Sequence, residues 1–138
     1  MKENSQANMI GVLPSQGADP IPVGKIPDLG TQIVKSGYAV NATVVIHTVT
    51  ADKTLYLVSA WIEGYNGSDG TIAGQLSVRD TEDAHKYYLG YLYLPTLTHN
   101  TLSVAFPTPL EIPAGYDIYV GSGAAAVEIM GFIFGYEM

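Results

Sequence analysis

The sequence contains no cysteine, so neither a disulfide framework nor a thiolate-bound metal is available to it. It is also poor in charge. Asp, Glu, Lys and Arg make up 14% of its 138 residues, against about a quarter in ordinary globular domains. A small monomer needs charge on its outside, so the shortage fits a subunit that buries much of its surface against partners. Positive charge is scarcest: six basic residues face thirteen acidic ones, for a net charge of −7. The cations Lys2, Lys25, Lys35, Lys53, Arg79 and Lys86 are scattered, whereas a nucleic-acid surface clusters them to displace counterions. Nucleic acid is therefore excluded as a partner. No apolar run approaches the ~18–20 residues of a membrane-spanning helix. Residues 1–8 are polar where a secretory signal would be apolar. The expectation is a soluble protein made in the cytoplasm, with no membrane partner.

Motifs of chemistry are missing too. The three histidines, His47, His85 and His99, show no metal-pair spacing, and no H-x-H cluster with a following Glu is present. There is no G-x-S-x-G elbow, phosphate-binding loop or G-x-G-x-x-G turn. No catalytic residue, metal site or cofactor is assigned, and the chain reads as non-enzymatic. Asp80, Glu82 and Asp83 offer hard oxygen atoms but lack the glycine punctuation and closing Glu of a calcium loop, so a solvated turn is preferred. Asn41-Ala42-Thr43 and Asn66-Gly67-Ser68 match the glycosylation sequon, a pattern that chance often produces.

What is there divides into two regions. Residues 1–37 lack any aromatic side chain yet hold Pro14, Pro20, Pro22 and Pro27, half of the eight prolines. Proline removes backbone donors and the interspersed glycines favour no regular element, which predicts an extended N-terminal arm. Fixing such a segment costs about 1–2 kcal/mol per residue in backbone entropy, so it needs anchors. Met9, Ile10, Val12, Leu13, Ile21, Val23 and Ile26 are the candidate anchors, each worth about 1.5–3 kcal/mol if fully buried on a partner.

Residues 38–138 form the predicted body, a length suited to one domain. Here the apolar period is two. Strands are predicted over residues 40–49, 54–62, 71–78, 85–94, 101–106, 116–120 and 126–136, with a possible eighth over 32–35. Asn66-Gly67-Ser68-Asp69-Gly70 marks a strong turn, since Asn, Asp and Gly tolerate positive φ. Seven or eight short antiparallel strands with no helical stretch indicate a single β-sandwich, and a jelly roll is the preferred architecture.

Two strands single themselves out. In residues 85–94 alternation puts Tyr87, Leu89, Tyr91 and Tyr93 on one face, a row suited either to packing at an interface or to stacking on sugar rings. Packing is the preferred reading. In the last strand Met130, Phe132, Phe134 and Tyr136 share one face, and Val127, Ile129, Gly131 and Ile133 the other. Both faces are apolar, although a sandwich strand normally turns one of them to water. A homotypic interface, trimeric by preference, would cover the second face, as would the arm of the same chain. The candidate oligomer interface is Tyr91, Tyr93, Phe132, Phe134 and Tyr136.

The segment PLEIPAGYDIYV at residues 109–120, followed by GFIFGYE at 131–137, resembles the last strands of small viral jelly rolls. Tumour-necrosis-factor and C1q-like domains end in a similar way. A proline-rich arm ahead of a compact, low-charge, cysteine-free β-body resembles bacteriophage capsid decoration (cement) proteins. That resemblance implies a virion location, an oligomeric body on the capsid lattice, and arms that tie down neighbouring capsid proteins. It carries no residue-level motif. Two other functions fit the same body: a tail or fibre receptor-binding head that takes host glycans on its tyrosines, and a trimeric ligand of the tumour-necrosis-factor or C1q type.

Overall fold

The computed structural model describes residues 30–124 and 126–138. Their strands are β1 (Thr31–Val40), β2 (Thr43–Thr48), β3 (Leu55–Asn66), β4 (Ile72–Arg79), β5 (His85–Leu94), β6 (Thr98–Ile112), β7 (Asp117–Ser122) and β8 (Val127–Glu137). Pairing follows a simple rule: β1 joins β8, β2 joins β7, β3 joins β6 and β4 joins β5, all antiparallel. This is one long ribbon doubled back at the β4–β5 turn. Rolling it adds the pairs β3–β8 and β4–β7. The result is sheet 1, in the order β1-β8-β3-β6, and sheet 2, in the order β2-β7-β4-β5. The protein is the jelly-roll sandwich that its strand pattern predicts.

The core lies between the sheets and is aliphatic. Leu55, Leu57, Ile62, Ile112, Ile129 and Ile133 of sheet 1 meet Leu76, Val78, Leu94, Ile118 and Val120 of sheet 2, all almost fully buried. Burial of each such side chain stabilises by about 1.5–3 kcal/mol. Glycine sets the sheet spacing at Gly131, where an added Cβ would lie 2.4 Å from Val120 Cγ1. At the turn after β3, Asn66 is wholly buried. Its amide donates to the carbonyls of Gly70 and Leu94, and its Oδ1 accepts from the backbone and hydroxyl of Ser68. This first Asn of the predicted turn is thus a structural pin.

Two boundaries move relative to expectation. The body starts before residue 38, because β1 pairs with β8 along its whole length from Thr31 to Val40. Its signal is weak because it is an edge strand with Ile33 and Ala39 as its buried apolar side chains. Gly30 leads into it with φ +67°, and a Cβ there would meet the Glu137 carbonyl. In the second case β6 runs on past residue 106, where the strand was expected to end, through Pro107 and Pro109 to Ile112. The partner of Leu57 is Leu110 and that of Ser59 is Ala105, so residues 106–109 bulge out opposite Val58. An edge strand tolerates prolines in such a bulge, where their missing N–H breaks no ladder.

Candidate functional site

Each sheet has a second face, turned away from the core, and the two differ in chemistry. On sheet 1 the outward side chains fall into rows across the four strands. Ser36, Phe132, Trp61 and Ser103 make one row; Val34, Phe134, Ser59 and Ala105 make the next. The Trp61 and Phe132 rings stack at 4.7 Å, and Phe134 meets Tyr136 edge-on at 5.4 Å. These rows line a shallow apolar depression of about 320 Å3. Val34 at its rim is 64% exposed. Toward the other end of the strands the face turns acidic, with Glu63 and Glu128 beside Tyr38, Tyr65 and His99. Partial desolvation and the adjacent Glu128 carboxylate raise the Tyr38 hydroxyl above the ordinary tyrosine range.

On sheet 2 the central row is Thr43, Gly121, Gln75 and Tyr91. Glycine in the middle leaves a groove of about 280 Å3, bounded also by Ala73, Ser122 and Gly123. Along its open edge Tyr88, Tyr91 and Tyr93 stand in sequence, with ring centres 4.9 and 5.2 Å apart and edge-to-face tilts. The row beside the groove is Val45, Tyr119, Ser77 and Tyr88. Ser77 Oγ is buried there without a hydrogen-bond partner among the described residues. Beyond it Arg79 lies over the Tyr119 ring at 5.2 Å and is held by Asp117 at 2.9 Å.

The tyrosine row differs from the sequence expectation. Leu76 pairs with Gly90, but Ser77 pairs with Tyr88, so Leu89 is an extra residue on β5. A bulge of this kind reverses the alternation beyond it. Tyr87 therefore packs against the core, Leu89 is buried, and Tyr88 takes the outward place. The predicted interface set divides accordingly. Phe132, Phe134 and Tyr136 lie together on sheet 1, whereas Tyr91 and Tyr93 lie on sheet 2, on the opposite side of the molecule. Trp61 and Val34 complete the first group. Trp61 was missed because its strand neighbours Ala60 and Ile62 are also apolar, which hides which side faces outward. The arm anchors Met9, Ile10, Val12, Leu13, Ile21, Val23 and Ile26 lie outside the described residues.

The histidines occupy three separate settings. A bulge at Ile46 turns His47 inward opposite Ile118, where its Nε2 meets Glu137 Oε2 at 2.6 Å. Glu137 is buried and also accepts the Thr50 N–H at 3.0 Å. Burial alone would raise its carboxyl, but the hydrogen bonds from Thr50 and His47 outweigh it and hold the group below the ordinary glutamate range. His85 tilts onto Tyr88 at 4.3 Å, and His99 lies 4.0 Å from Glu63. The acidic loop is internally engaged. Asp80 accepts the N–H groups of Glu82 and Ala84 and pairs with Lys86 at 2.7 Å. Led by the hydrogen bond from Lys86, these contacts lower its pKa to about 2. Asp83 pairs with Arg79 at 3.3 Å. Among the described residues no group of three or more His, Cys, Asp or Glu side chains is placed to hold a metal ion. No protein-family model matches the chain, and no curated protein matches it in sequence.

Proposed function

We propose that this chain is a non-enzymatic assembly subunit of a virus particle, a decoration protein that stabilises a capsid. Copies join through the outer face of sheet 1, and the N-terminal arm reaches neighbouring capsid proteins. The observation that carries the reading is the outward aromatic surface around Trp61, Phe132 and Phe134. Among the described residues no strand or loop covers it. A four-stranded face spans about 20 Å by 25 Å, a useful fraction of the ~800 Å2 each partner contributes to a stable interface. Apolar aromatic side chains at the centre and carboxylates toward one end follow the usual division of interface core and rim.

The arm root supports the same assignment. Residue 30 leaves the body at the edge strand β1, beside the rows that end in Tyr136 and Phe134. Twenty-nine residues precede it, an extended reach of roughly 100 Å. A body that self-associates and an arm that grips a second protein act at high effective concentration on a lattice.

The solution mass of the full-length protein tests the proposal. Sedimentation should give a trimer, three times the 14.7 kDa chain mass. A monomer at micromolar concentration would end the sheet 1 interface. Particles produced from the gene's own genome should carry the protein in lattice stoichiometry, and its absence from them would end the virion assignment.

A further inference from the structure

We infer that the groove on the outer face of sheet 2 is a binding site for neutral saccharides, with Tyr91 as its stacking wall and Gln75 and Thr43 as its polar contacts. The inference does not depend on the assembly role, because the groove lies on the other side of the sandwich from the sheet 1 rows.

The groove is made by sequence rather than by accident of packing. Gly121 stands between Thr43 and Gln75 in the same cross-strand row. A Cβ there would sit at ordinary contact distances, 3.4 Å from Gln75 Nε2 and 3.6 Å from Thr43 Oγ1. The position would therefore accept a side chain, and its absence opens the floor. Among the described residues, no hydrogen bond engages the Thr43 hydroxyl or the Gln75 carboxamide, and both line the groove. Together they provide donors and acceptors on opposite sides of a strip of backbone.

The chemistry of the lining selects the ligand. No residue that lines the groove carries a charge, so nothing in it compensates an ionic ligand, and the net charge of −7 disfavours an acidic one. A purely apolar ligand would leave the amide and hydroxyl unpaired in contact with it, which is unfavourable. A sugar ring offers both parts: an apolar face of C–H groups for an aromatic ring and equatorial hydroxyls for amide and hydroxyl partners. The volume of about 280 Å3 is at the low end of small-molecule sites, which suits one or two rings. β5 is an edge strand, so the row Tyr88, Tyr91, Tyr93 runs along the groove's open edge and lets a longer chain lie beside it. Tyr93 at 68% and Tyr88 at 52% exposure keep free ring surface that the edge-to-face contacts do not consume.

The test titrates the full-length protein with maltohexaose, cellohexaose and chitohexaose while backbone amide resonances are followed, beside a printed panel of neutral and sialylated oligosaccharides. At least one neutral oligosaccharide should give saturable shifts centred on Gln75, Tyr91, Gly121 and Gly123. Affinity should drop at least tenfold in Tyr91→Ala. Gly121→Val fills the floor without removing a tyrosine and should abolish binding while leaving the unfolding midpoint near that of the parent. Phe132→Asp should bind as the parent does. No response to any neutral oligosaccharide would overturn the inference, as would binding confined to sialylated sugars, shifts centred on sheet 1, or full affinity in Gly121→Val.

Discussion

The two outward faces start from the same rule of alternation and end as different surfaces. Sheet 1 presents Trp61, Phe132, Phe134 and Val34 in adjoining rows, a surface composed like a core that has been opened. Sheet 2 presents tyrosines at its edge, a glycine-floored groove, and the Arg79–Asp117 pair. On one face the aromatic rings carry no polar handle apart from the Trp61 indole and the flanking tyrosines. On the other the row Tyr88, Tyr91 and Tyr93 carries a hydroxyl on every ring. An apolar ring gains only by being removed from water, which is the ground for proposing a cover on sheet 1. A tyrosine is stable at a boundary, with one part dry and one part wet, so sheet 2 tolerates reversible contact. The inner faces report how the chain folds; the outer faces differ in the contacts they can make.

The sharpest way to break the contrast is a charge in the centre of sheet 1. Phe132→Asp places a carboxylate on Trp61 in any assembled state, and should weaken self-association by about 2–4 kcal/mol, the range of an interface hot spot. By affinity arithmetic that is roughly 30- to 1000-fold in the dissociation constant. Sedimentation at fixed concentration should then show monomer. Tyr93→Asp is the counterpart on sheet 2 and should leave the oligomer intact. If both substitutions dissociated it equally, the division of labour between the faces would be lost.

A smaller effect separates the faces from the core that holds them. Gly131→Ala drives a Cβ against Val120, a buried β-branched side chain with little rotamer freedom. Overpacking of this kind costs about 1–3 kcal/mol. Urea unfolding should show that loss, while the mass and the amide pattern of the outer rows stay as in the parent. A neutral result would mean that the sheets separate easily at this point.

Much of this was legible in the residues. The strand positions, the Asn66 turn and the two sides of β8 follow from period-two alternation and turn chemistry, and seven or eight short strands pointed to the jelly roll. Bulges were not legible. The extra residues at Leu89 and Ile46 carry no compositional mark, yet each reverses the side on which later residues fall. Alternation continued through them exchanges Tyr87 for Tyr88 and hides that His47 turns inward. The course of β6 through Pro107 and Pro109 escaped for a related reason: proline argues against a strand only where its N–H would have been used. The two interface groups also looked like one because a sequence gives each strand two faces but not which sheet the strand joins.

The smallest predicted change concerns the contact that ties the two sheets together without belonging to either outer face. Glu137 on β8 of sheet 1 is bonded by His47 on β2 of sheet 2 and by the Thr50 N–H. Because its folded pKa lies below the ordinary value of 4.5, the folded state takes up this proton less readily than the unfolded chain. The contribution is therefore complete above about pH 5 and is lost as pH falls through 4.5 toward the lower folded value. Glu137→Gln keeps an acceptor for Thr50 but removes the charge, and should cost about 1–2 kcal/mol at pH 7, the difference between charged and neutral hydrogen bonds. Urea midpoints at pH 7, 5 and 3.5 should show the parent losing more stability than the variant, so that the two converge in acid. Equal slopes would mean that other carboxyls dominate acid unfolding. Since this pair links one sheet to the other, acid should impair self-association and the groove together. The substitutions on the outer faces should impair them one at a time.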